Sequence, residues 1–209
     1  MTRPSLRPDD GVPSGGEDVG VDLALLVLRL VVGLGFAAHG AQKLFGSFGG
    51  PGIAATGRFF DDLGLRPGKA NAIAAGAVEL GGGLLIAAGL VTPFAAAALI
   101  ATMTAAVVTV HARNGFFVAS NGFEYSLTLA AAVFALAGVG AGRWSLDHVL
   151  GLDLMGTAWA VAALAVGIVG GLCVVSGGRL VSRLDRDHHA HAHALRGRVT
   201  GRPPTQPRA

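Results

Sequence analysis

The chain has 209 residues, 52% apolar and 14% charged, with a formal net charge of +3. Its mean hydropathy of +0.57 is too high, and its charge content too low, for a typical soluble domain; both point to a polytopic membrane protein. Its basicity does not signal nucleic-acid binding, because the Lys and Arg residues lie mostly outside the apolar runs, where the positive-inside rule puts them. A single cysteine, Cys173, excludes an internal disulfide, a CxxC redox pair and a cysteine zinc site.

Residues 1–22 mix Pro, Gly and acidic groups without the short basic and apolar regions of a secretory signal, so they read as a flexible leader before a retained span. From Leu23 to Leu44 the chain is long enough to cross a hydrocarbon core, yet Arg29 and His39 interrupt it and Lys43 closes it. A charge inside a span points to function by default, while a static role in holding helices together remains open. Phe45 to Lys69 is a Gly- and Pro-containing connection with an amphipathic piece, Ile53 to Leu63, that brings Phe59 and Phe60 to the interface. Arg58, Arg66 and Lys69 favour the cytoplasmic side for it.

Ala70 to Leu90 forms the second span, with Glu79 inside it and three glycines after it. Val91 and Thr92 make a very short turn, and Pro93 opens a third span that runs to His111. Thr102, Thr104 and Thr109 are placed to bond back to their own helix. A fourth span follows Phe123, with Glu124 and Tyr125 at its entrance. Thr157 to Val175 forms a fifth, in which Gly167 and Gly171 make a small-xxx-small pair for helix packing. An odd number of spans separates the termini. The basic tail from Arg179 puts the C-terminus in the cytoplasm and the acidic leader outside, across the plasma membrane.

The intramembrane polar residues form a candidate network of Arg29, His39, Lys43, Glu79, His111 and Glu124. Depth along antiparallel spans sets Arg29 near Glu79 and predicts a charge pair, with His111 and Glu124 as a polar mouth nearer the cytoplasm. Imidazole and carboxylate groups exchange protons, and Arg or Lys stabilises a developing oxyanion, so the set suits a proton relay or a quinone-head pocket; it equally suits a structural network. His188, His189, His191 and His193 are too closely and loosely spaced to define a metal site, and none is assigned.

Arg29 together with HGAQKLFG (39–46), VELGGGLLIAAGL (78–90), GFEYSLTLAAA (122–132) and GRWSLD (142–147) resembles the DoxX family of small membrane proteins. The resemblance covers residues 23–148 and implies an all-α integral membrane protein with a four-helix transmembrane core. To that core this chain adds a fifth-span extension at 149–178 and a basic, His-containing flexible tail at 179–209. It carries over Arg29, His39, Lys43, Glu79 and Glu124 as family-like polar positions. Because some members are subunits of thiosulfate-to-quinone oxidoreductases, it implies a membrane subunit or assembly partner linked to redox homeostasis or quinone-dependent electron transfer. A quinone-binding oxidoreductase and a small-molecule transporter are the alternatives. No resident cofactor pattern is identifiable, so quinone enters as substrate or ligand. The expected partners are lipids and a redox protein, and catalysis by the isolated chain is not expected.

Overall fold

The computed structural model describes the backbone over residues 15–200 and the side chains of residues 19–185 and 188. Its helices are α1 (Gly15–Phe45), α2 (Gly52–Asp62), α3 (Gly68–Ala88), α4 (Thr92–Ala106), α5 (Glu124–Val139), α6 (Leu146–Val149) and α7 (Thr157–Thr200), with no strand among the described residues. Four segments are long and apolar enough to cross a membrane: Val19–Phe45, Gly68–Ala88, Thr92–Asn114 and Thr157–Asp185. The apolar α5 is shorter, at 16 residues. The protein is therefore a multi-pass, all-α membrane protein.

α1, α3, α4 and α5 form the central bundle, and α7 packs outside against α4 and α5. Lipid offers no hydrophobic drive between helices, so close backbone approach has to supply the attraction. Between α1 and α3 it comes from paired glycines. A Cβ on Gly33 would lie 2.5 Å from the Gly83 carbonyl oxygen, and one on Gly40 would lie 2.6 Å from that of Gly76. Both pairs are seven residues apart, which keeps them on one seam. The expected Gly167 and Gly171 pair does the same for α7, facing the Ala97 and Ala101 carbonyls of α4. Phe36, Ile86, Leu99, Val133 and Leu136 are fully buried at mid-bundle.

Two of the three threonines expected to bond back to their own helix do so: Thr102 donates to the Leu99 carbonyl at 2.8 Å, and Thr109, just past α4, to that of Ala105 at 2.7 Å. Beyond Ala106 the helix widens into a π-helical turn, Val107–His111, a feature that often marks functional positions. α2 is the expected amphipathic segment, lying between membrane-crossing helices and packed on α3 and α1.

Two boundaries differ from the sequence reading. α1 begins at Gly15 rather than Leu23, and Asp22, now inside it, has a partner: Arg143 donates to it from its backbone N–H at 2.8 Å and from Nε at 2.6 Å. α7 does not yield to a tail at Arg179 but continues as helix to Thr200. Its residues 178–185 are tied to the α2–α3 connection, where Ser182 Oγ donates to the Gly64 carbonyl at 2.9 Å and Arg66 lies 3.6 Å from Asp185. His188 is exposed, while the side chains of His189, His191 and His193 lie outside the described residues.

Candidate functional site

Asp22, Arg29, Phe36 and Lys43 recur every seven residues on α1, so they share one face turned into the bundle. What each meets depends on its height. Lys43 Nζ lies 2.5 Å from Oε2 of Glu79, whose side chain is nearly fully buried. One turn above Lys43, His39 Nε2 lies 3.4 Å from the Tyr125 hydroxyl of α5, the two rings meeting edge to face. These four groups line a cavity of about 460 Å³. Thr102, Thr109, Ser126, Asn71 and His111 add polar atoms to its wall, and the rest is Ala, Val, Leu, Met and Phe. An apolar chamber of this size with a few convergent polar groups has the form of a small-molecule site.

Arg29 lies outside that chamber. It is 1% exposed, donates from Nη2 to the Trp144 carbonyl at 2.5 Å, and leaves Nε and Nη1 without partners among the described residues. Its nearby counter-charge is Asp147. The expected Arg29–Glu79 pair is therefore replaced by two separate arrangements. The cause is the register of the two helices: the Gly33–Gly83 and Gly40–Gly76 contacts set Arg29 opposite Gly89 and Glu79 opposite His39. Each side chain also tilts toward its own helix N-terminus, so on antiparallel helices Arg29 leans further toward the Gly89 end of α3, and Glu79 leans the other way, toward Lys43. Gly89, which the Arg29 guanidinium abuts, lies ten residues beyond Glu79, about 15 Å along the axis. It also closes α3 at φ 65°, so a side chain there is barred by both backbone conformation and space.

Asp147 organises that end. Its carboxylate accepts from the Val91 N–H at 2.7 Å, the Thr92 N–H at 3.1 Å and the Thr92 hydroxyl at 2.7 Å. Orphan donors at the start of α4 are thereby satisfied. Glu124 likewise stands apart from the cavity and accepts from the Val118 N–H at 2.9 Å. His111 Nδ1 contacts the Asn121 carbonyl at 2.9 Å while its ring borders the cavity. Of the six candidate residues, His39, Lys43, Glu79 and His111 meet at one chamber, and Arg29 and Glu124 hold connections. Tyr125, Asn71 and Ser126 belong to the chamber without having been singled out for it. For Tyr125 the available signal was its being the chain's one tyrosine, placed at the start of an apolar run.

We expect a double-mutant cycle on Lys43→Met and Glu79→Gln, measured by unfolding in bilayer-mimetic micelles, to return a coupling of about 1–3 kcal/mol. The same cycle on Arg29→Met and Glu79→Gln should be additive within about 0.5 kcal/mol. The opposite ranking would contradict the pairing described above.

Comparison with known proteins gives relatives of the chain. Residues 24–112 match the family described as DoxX. The chain is 33% identical over 117 residues to a Bacillus subtilis (strain 168) protein named "Putative oxidoreductase CatD", the match covering 56% of this chain and 81% of the relative. It is 31% identical over 155 residues to the "Uncharacterized membrane protein Rv3486" of Mycobacterium tuberculosis (strain ATCC 25618 / H37Rv), covering 69% of this chain and 86% of that one. No solved structure gives a significant match.

Proposed function

Because the chain belongs to the DoxX family of membrane proteins, we propose that it is the quinone-binding membrane subunit of a redox assembly. In this reading the chamber holds the quinone ring, and an associated redox protein supplies two electrons. Each ring carbonyl oxygen then gains one proton, giving the quinol. The observation that carries the reading is the convergence of Lys43, Glu79, His39 and Tyr125 on one largely apolar cavity.

The roles follow from chemistry. The Lys43 ammonium donates to a carbonyl oxygen and stabilises the charge that develops there on reduction, as a preorganised donor does best in a water-poor site. Glu79 holds Lys43 in place and accepts or returns a proton, and His39 with Tyr125 forms a second donor and acceptor pair. The fully buried residues Phe36, Ile86, Leu99, Val133 and Leu136 lie along their helices between this chamber and the Arg29 end. Protons in this reading arrive from the α2 end. Arg58, Lys69, Arg179 and Arg183 are exposed at that same end, which favours the cytoplasmic side for it and an external N-terminus in the plasma membrane.

Equilibrium binding of a decyl-substituted benzoquinone to the purified chain in nanodiscs tests the reading. The native chain should bind it, and Lys43→Met should weaken binding by about 10- to 100-fold, the value of one charge-assisted hydrogen bond. Absence of binding, or no response to the substitution, would refute it. Partner identification after gentle membrane extraction should recover a protein that carries the redox group.

A further inference from the structure

The chamber is only partly enclosed, and small side chains make up much of its α3–α4 wall. Ala74, Ala75 and Val78 of α3 face Ala98, Ala101 and Ala105 of α4 across it, and all six are partly or fully exposed. Higher up the same two helices close: Gly82 lets Leu99 approach until a Cβ would lie 3.1 Å from the leucine side chain. The helix pair is thus zipped at mid-bundle and open below, where only small side chains stand. Phe59 and Phe60 of α2 and Val174 of α7 frame the opening, and Gly178 of α7 rests against Leu65, which lies buried at the chamber's edge. The framing helix α7 lies beyond residues 24–112 that match the family.

We infer that the ligand enters this chamber sideways from the bilayer, and that its long apolar chain occupies the alanine-lined gap between α3 and α4 while its head reaches Lys43 and Glu79. The inference rests on the quinone reading above and adds an entry route and a chain-bearing substrate class. An alanine-walled gap has no side chains to fill it, so it loses dispersion contacts unless hydrocarbon supplies them. The cavity's charged pair, Lys43 and Glu79, and the His39–Tyr125 contact stand against a wall made mostly of alanine and other apolar side chains, so the occupant carries a polar head and an apolar chain in one molecule. Lys43 is already neutralised by Glu79, which makes a neutral carbonyl head a better match than the phosphate of a phospholipid, whose charge would be left uncompensated.

The experiment compares two ligands and three proteins in phosphatidylcholine nanodiscs. The ligands are a decyl-substituted benzoquinone and the same ring without the chain. The proteins are the native chain, Ala74→Phe and Ala105→Phe. Ala74 is exposed, so a phenyl ring there spans the gap without displacing packed neighbours, and thermal unfolding checks that both variants remain folded. The expected result is that each substitution weakens the decyl compound by about tenfold or more and shifts the chainless ring by less than about twofold. Equal losses for both ligands, or none for either, would overturn the lateral route while leaving the quinone reading standing. Failure of both ligands to bind the native chain would overturn the quinone reading and this inference with it. A phospholipid that stays in the gap and is not displaced by the decyl compound would overturn the assignment of the chain.

Discussion

Asp147→Ala should lower the stability of the bundle by about 3–5 kcal/mol, measured by reversible unfolding in mixed micelles. The carboxylate caps α4 through two backbone N–H groups and one hydroxyl, and hydrogen bonds to charged groups are each worth about 1.5–3 kcal/mol, with shared loss when removed together. Val91, one of the donors, is held at φ 44°, a left-handed conformation that a β-branched residue adopts only under constraint, at a cost of about 1–3 kcal/mol. Removing the acceptor leaves that cost without its compensation. Asp147 is also the counter-charge near Arg29, so its loss strands a guanidinium that is already short of partners. Arg29→Met in the Asp147→Ala background should therefore recover part of the loss. A single-mutant effect below about 1 kcal/mol would mean that water or rearranged backbone replaces the carboxylate.

Gly40→Leu should be more damaging still, abolishing the folded bundle or costing more than about 4–5 kcal/mol. The added side chain would be driven into the Gly76 carbonyl and the Leu80 backbone of α3. Neither is a flexible group that rotates away, so α1 and α3 must separate and lose their mutual packing along the whole seam. The control lies on the same helix: a Cβ at Gly35 meets nothing within 4 Å, and Gly35→Leu should change stability by no more than about 0.5–1 kcal/mol. Similar effects from both would show that glycine content, rather than the seam, matters in α1.

Much of this architecture is legible in the amino-acid order because the relevant signals are local. Apolar length marks the spans, Pro93 marks the start of α4, and Gly167 and Gly171 mark a contact face whose neighbour turned out to be α4. The candidate site was harder to read because its pairing depends on the register of two helices, which the span ends do not fix. Arg29 and Glu79 look nearly level when depth is counted from Leu23 and Leu90, the ends of the apolar runs. The glycine contacts between α1 and α3 set Arg29 beside Gly89 instead, and the tilt of each side chain toward its own helix start separates the pair further. Asp147 carried a weaker signal. It falls in a connection that reads as solvent-facing, and its importance comes from Val91 and Thr92, 56 and 55 residues earlier in the chain. Tyr125 stands in the first turn of α5, a short helix that begins at Glu124, and meets His39 there across the bundle, a contact between residues 86 apart in the chain.

That shortness also acts on the membrane around the protein. At 1.5 Å per residue, α5 is about 24 Å long, several ångströms less than a hydrocarbon core of about 30 Å, whereas the apolar part of α7, from Thr157 to Gly178, is about 33 Å. One flank of the molecule thus suits a thinner sheet of lipid than the other. The bilayer accommodates unequal lengths by compressing beside the short helix and by tilting the long one. Lipid headgroups should consequently lie closer to the bilayer midplane beside α5 than beside α7, a difference that paramagnetic headgroup labels would read from the two flanks.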